Sequence, residues 1–297
     1  MSAIATLPNG IRLACEAFGA SDAPAVVLIM GLGAQMVRWN IELCDDLVAR
    51  GYQVICFDNR DCGCSTHLDD AFVPSIGMAM GGSTLLAVPY TLEHMAADVV
   101  GLLDVLGIDA AHVAGASLGG AIAQVMAARY PERTLSLTSI MSSSGNPALP
   151  PPTPAAAQAL FAPLPRIMDR ASIVEDAVSR YRTVGSPAYP PDESRLRRLF
   201  ELEYDRGFNP RGVMRQLGAL LANGDRRSLL RTITAPTVVL HGRDDPLIRL
   251  ACGEDVAGNI PGARLHVIDG MGHDLPVELT ATVADAIATA GNPRQMG

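Results

Sequence analysis

The stretch His112-Val113-Ala114-Gly115-Ala116-Ser117-Leu118-Gly119-Gly120 decides how this chain is read. It opens as a short apolar run suited to a buried strand, and the residues after Ser117 begin a helical pattern that ends near Tyr130-Pro131. Ser117 therefore sits on a tight strand-to-helix turn, where the flanking glycines of Gly115-Ala116-Ser117-Leu118-Gly119 let the backbone bend and leave the hydroxyl exposed. The helix behind it aims the partial positive charge of its first turn at the same point. A glycine-rich turn of this kind also serves plain helix-on-strand packing, so its chemistry depends on what the rest of the chain supplies.

Two later segments supply it. Gly242-Arg243-Asp244-Asp245-Pro246 follows an apolar strand pattern, which sets a carboxylate at the C-terminal edge of the sheet, where open α/β sheets bind ligands. Gly270-Met271-Gly272-His273 follows the next strand pattern and precedes the last helix, bringing an imidazole to that edge. The order serine, carboxylate, histidine is the one this kind of strand-turn-helix nucleophile requires.

Outward from these points, short apolar runs alternate with longer helical segments, the pattern of an α/β fold with a mostly parallel sheet. Strands are predicted over residues 12–18, 26–30, 54–57, 112–116, 135–141, 237–240 and 265–268. A helix is predicted from Thr91, with Glu93 in its first turn, to about Leu106, where Gly107 stops it. The alternation breaks over 144–232. That segment opens with Pro147, Pro150, Pro151, Pro152 and Pro154 and then shows three helical faces. They carry Ile173, Val174, Ala177, Val178 and Tyr181; then Leu196, Leu199 and Phe200; then Val213, Met214, Leu217, Leu220 and Leu221. The expected division is a core of residues 1–143 and 233–297 with a helical insertion over 144–232; the proline-rich start reads equally well as a linker.

Composition removes several function classes. With 297 residues and 48% hydrophobic content the chain can bury a large core, so a small disulfide-stapled fold is not expected. All 23 basic residues are arginine, which excludes Schiff-base chemistry and the lysine of a phosphate-binding loop. A net charge of −8 and the lack of a basic run argue against nucleic acid as partner. The six cysteines are scattered and read as reduced thiols, and the first twenty residues lack a basic start before an apolar run, so a cytoplasmic location is expected. The uncharged stretch from 71 to 92 reads as a loop rather than a membrane span, since Pro74, Gly77, Gly81, Gly82 and Pro89 interrupt it.

A serine hydroxyl is a weak nucleophile near neutral pH, so His273 is expected to accept its proton and a carboxylate to orient the imidazole. The developing oxyanion needs fixed donors; the N–H of Leu118 supplies one by position, and the turn Met30-Gly31-Leu32-Gly33 is expected to supply another from Leu32. The other histidines, His67, His94, His112, His241 and His266, have surface or packing roles in this reading. A dinucleotide site on Gly31-Leu32-Gly33 fails because Met36 stands where the third glycine belongs.

Taken together, Leu28-Ile29-Met30-Gly31, Phe57-Asp58-Asn59-Arg60-Asp61, the turn at 115–120, the segment 242–246 and Gly272-His273 resemble the α/β-hydrolase superfamily, in particular its esterase branch similar to aclacinomycin methylesterase. The resemblance covers roughly residues 10–288 and is weakest over the insertion. It implies an eight-stranded sheet flanked by helices, a helical cap over the site, hydrolysis of carboxylic esters through an acyl-enzyme, and no cofactor or metal. It also selects Asp245 over Asp244, because the family's carboxylate stands three residues after the glycine. Asp58 and Arg60 are read as structural. Met30 replaces the histidine that many members carry before the oxyanion glycine, which weakens the comparison with lactonases and carbon-carbon hydrolases. The substrate is expected to be a small to medium lipophilic ester contacting Gly31 and an apolar pocket containing Met78 and Met80, in a segment that reads equally as a surface loop. Oligomeric state is left open.

Overall fold

In the computed structural model, residues 3–74 and 87–291 are described. Eight strands form one sheet: β1 (Ala3–Thr6), β2 (Arg12–Phe18), β3 (Ala25–Ile29), β4 (Gln53–Phe57), β5 (Ala111–Ala116), β6 (Thr134–Ile140), β7 (Thr237–Gly242) and β8 (Arg264–Ile268). Their order is β1-β2-β4-β3-β5-β6-β7-β8. The pairings β1–β2 and β2–β4 are antiparallel and the rest are parallel. The expected architecture, an eight-stranded and mostly parallel sheet, is the one observed.

The helices of the sheet layers are α1 (Ile41–Ala49), α2 (Leu92–Val105), α3 (Leu118–Arg129), α9 (Leu250–Asn259) and α10 (Thr280–Gly291). Alternation along the strands explains why both sheet faces are covered. Val27 and Ile29 of β3 join Val113, Leu137 and Val239 in a core with Leu102 of α2, Ile122 of α3 and Val256 of α9. Val26 and Leu28 point the other way, into a core with Leu47 of α1 and Val283 and Ile287 of α10. Thr91 caps α2 as expected, and His94 assists: its Nδ1 accepts the Thr91 N–H at 3.2 Å.

Between β6 and β7 run α4 (Pro154–Phe161), α5 (Arg170–Val184), α6 (Glu193–Gly207), α7 (Pro210–Asn223) and the short α8 (Arg227–Leu230). The three predicted helical faces fall on α5, α6 and α7. Residues 147–153 of the proline-rich opening are not helical; a helix starts only at its last proline, where Thr153 accepts the Ala156 N–H and Pro154 occupies the first turn, in which its missing N–H costs nothing. Val174, Val178, Leu196 and Phe200 give α5 and α6 a small core of their own.

Buried ion pairs fix this helical segment to the loop after β4, and that loop to α2. Arg215 of α7 binds Asp61 with bonds of 2.8 and 2.7 Å, and neither side chain is exposed. Arg206 of α6 reaches Asp58, which also accepts the N–H groups of Met36 and Cys64. Arg60 binds Asp98 at 2.6 and 2.7 Å. The structural reading of Asp58 and Arg60 thus has a concrete form: paired, buried charges that hold the loop after β4. No helix among the described residues is long and apolar enough to cross a membrane.

Candidate active site

Ser117 lies between β5 and α3 at φ 55°, ψ −116°, a region that side chains rarely adopt and that costs on the order of 1–3 kcal/mol. The bend persists because its surroundings enforce it. The Ser117 N–H donates to Ile140 O at 2.9 Å, and its carbonyl accepts Ser142 Oγ at 2.8 Å. Space is equally decisive. A methyl group at Gly119 would lie 1.9 Å from Ile29 O, and one at Gly115 would lie 2.1 Å from Gly119 O, so the turn can pack against the end of β3 only with glycine at both positions.

His273 and Asp245 arrive on the loops after β8 and β7. His273 Nε2 is 3.0 Å from Ser117 Oγ, and His273 Nδ1 is 2.7 Å from Asp245 Oδ2. The remaining Asp245 oxygen, Oδ1, accepts the N–H groups of Leu247 and Ile248, each at 2.8 Å. Asp245 is buried and His273 nearly so, and the carboxylate's hydrogen-bonding capacity is met by these partners. Asp244 turns elsewhere: its Oδ2 accepts the Gly270 N–H at 2.9 Å, bracing the loop that leads to His273.

The two sequence-predicted oxyanion donors flank the serine. Leu118 is the first residue of α3, so its N–H belongs to the first turn, which has no carbonyl partner within the helix. Leu32 lies on the turn after β3; its N–H has no acceptor among the described residues. Gly31 is beside Ser117, since a methyl group built there would meet Ser117 Cβ at 3.2 Å and Oγ at 3.8 Å. Met78 and Met80, expected to line an acyl pocket, lie outside the described residues.

Four further contributors were not singled out as site residues by the sequence. Asn59 Nδ2 donates to Met30 O at 3.0 Å, tying the turn after β3 to the loop after β4. The Val184 carbonyl, at the end of α5, accepts the His273 N–H at 2.7 Å, and Ser186 Oγ accepts the Gly272 N–H at 2.9 Å. His241 is fully buried, and its Nε2 donates to Ile248 O at 2.7 Å, holding the chain whose amide binds Asp245. Burial lowers the pKa of His241, which keeps the ring neutral. Only long-range pairing defines these roles. Among the described residues, no group of three or more His, Cys, Asp or Glu side chains is placed to hold a metal ion.

A doubly covered eight-stranded sheet with serine, carboxylate and histidine at the ends of its parallel strands defines a hydrolase architecture, and the chain belongs to the α/β-hydrolase fold family, whose model matches residues 24–278. Rhodomycin D methylesterase of Streptomyces peucetius is 29% identical over 286 residues, 90% of each chain, in keeping with the expected esterase branch. 3-Oxoadipate enol-lactonase 2 of Acinetobacter baylyi is 27% identical and spans 87% of this chain and 85% of its own. Among solved structures, a hydrolase from Pseudomonas aeruginosa aligns with a TM-score of 0.71 and 25% identity over 98% of both chains.

Proposed function

We propose that this hydrolase is a serine carboxylesterase acting through Ser117, His273 and Asp245. The observation that carries the reading is the continuous chain of hydrogen-bond distances, 3.0 Å from Ser117 Oγ to His273 Nε2 and 2.7 Å from His273 Nδ1 to Asp245 Oδ2. Ser117 Oγ attacks the ester carbonyl as His273 takes its proton; Asp245 holds the tautomer and stabilises the imidazolium. The tetrahedral oxyanion is received by the N–H groups of Leu32 and Leu118. His273 then returns the proton to the leaving alkoxide, and a water activated by the same imidazole releases the acyl group. The cycle uses the chain's own residues and needs no cofactor.

Residues 144–232 act as a cap over this centre, and 1–143 with 233–297 as the catalytic core. Gly31 borders the reacting carbon, while Met78 and Met80 belong to the segment we assign to acyl recognition. The six unpaired cysteines fit a reducing compartment such as the cytoplasm. Lactone opening is the second reading, since it uses the same steps on a cyclic ester and one of the relatives is an enol-lactonase.

A panel of p-nitrophenyl esters and aliphatic lactones, run on wild type beside Ser117→Ala, tests the proposal. Turnover of uncharged, lipophilic esters that disappears in the variant is expected. Preference for charged esters would refute the substrate class, and preference for lactones would favour the second reading.

A further inference from the structure

The structure assigns a positioning role to Gln216 of α7: it sets the oxyanion turn from the cap side. The inference rests on the oxyanion role of Leu32 proposed above. Gln216 is entirely buried. Its Oε1 accepts the Gly33 N–H at 2.9 Å, and its Nε2 donates to Arg60 O at 2.8 Å. Both ends of the amide are therefore matched to a donor and an acceptor of the core, and a flipped amide would lose both bonds.

The consequence for Leu32 follows from peptide planarity. Three successive peptide units make up the turn. Met30 O is held by Asn59 Nδ2 at 3.0 Å, and Gly31 O accepts the Ala34 N–H at 3.2 Å. The third unit, Leu32–Gly33, is held through its N–H by Gln216. Because Gly31 O and the Leu32 N–H point in opposite directions across one plane, pinning the units on either side fixes where the Leu32 N–H points. Gly33 stands at φ +64°, and a methyl group on it would lie 2.7 Å from Val213 Cγ2, so α7 also presses directly on the turn. Val213 and Gln216 are three residues apart, on one face of the helix. An oxyanion hole built on a glycine turn is thereby stiffened by the cap, and its donor is fixed before substrate arrives.

Gln216→Met keeps the side chain's length and removes both hydrogen bonds. We expect kcat to fall by about tenfold, because two of the three peptide units stay held and a full oxyanion donor is worth on the order of 10²–10³. KM should change less than about twofold, since the neutral ester carbonyl draws little on these donors. An alkyl boronic acid, whose tetrahedral Ser117 adduct places an oxygen where the oxyanion develops, should lose affinity by the same factor as kcat. Leu221→Ala, on the exposed side of the same helix, should keep kcat within about twofold of wild type. Unchanged kcat and unchanged boronate affinity in Gln216→Met would overturn the inference, and so would a loss confined to KM or to thermal stability. If wild type binds the boronic acid no better than the matching primary amide, the oxyanion reading itself has failed. Should Gln216→Met not fold, hydrogen exchange of the Gly33 amide in wild type decides: protection well above that of exposed loop amides supports the inference, and exchange at the open-loop rate contradicts it.

Discussion

Asp245 reaches His273 with one carboxylate oxygen, at 2.7 Å, and is held through the other by the amides of Leu247 and Ile248. This division makes the acid both a partner and an anchored one, because the imidazole receives a carboxylate whose second oxygen is already fixed. Asp244, one residue earlier, uses its carboxylate to accept the Gly270 amide. Asp245→Asn is therefore expected to lower kcat by about 10³-fold or more, since the amide can favour the wrong imidazole tautomer. Asp244→Asn should cost less than about fivefold, through looser placement of the loop. Steady-state kinetics of the two variants in parallel check the ranking, and the reverse order would overturn the assignment.

The turn at Ser117 makes a steric prediction. Gly119→Ala would drive a methyl group to 1.9 Å from Ile29 O, a clash between backbones that no rotamer relieves. It should cost more than about 3 kcal/mol of stability or abolish soluble expression. Gly258→Ala, on α9 where nothing lies within 4 Å, should instead stabilise by about 0.5 kcal/mol. Denaturant unfolding of both variants measures the contrast.

Stability should depend on pH through buried groups of opposite sign. Burial lowers His112 and His241 from the ordinary 6.5, so the unfolded chain takes up protons that the native fold refuses. Their contribution is intact above 6.5 and is lost as pH falls from there through the lowered native values. Burial raises Asp274 above 3.8, although Ser186 and Tyr181 donate to it. Its contribution is fullest below 3.8 and is lost as pH rises through the raised value. His112→Asn should flatten the drop in Tm between about pH 7.5 and 5.5, and Asp274→Asn should raise Tm more at pH 7.5 than at about pH 4. Slopes identical to wild type would contradict the account.

Much of this was legible in the residues. Strands such as β3 and β5 show as apolar runs because they are buried within the sheet, and the serine turn shows because its glycines are forced by backbone contact. The edge strand β1, four residues of which only Ala5 is buried, carries too little pattern to be seen. Helix α4 was hidden by its prolines, although Thr153 and Pro154 form a usual helix start. The choice of Asp245 over Asp244 needed the family spacing, since both acids are polar residues on one loop. Gln216, His241 and the Val184 carbonyl were beyond reach because each acts through a partner between 7 and 183 residues away, and nothing local to them marks the pairing.

We assign Ser117 Oγ as the nucleophile activated by His273, and reaction with a fluorophosphonate followed by peptide mapping checks that assignment. One stoichiometric adduct on Ser117 is expected, absent in Ser117→Ala and formed at least about 10²-fold more slowly in His273→Gln. An adduct on another residue, or equal labelling rates with and without the imidazole, would contradict it.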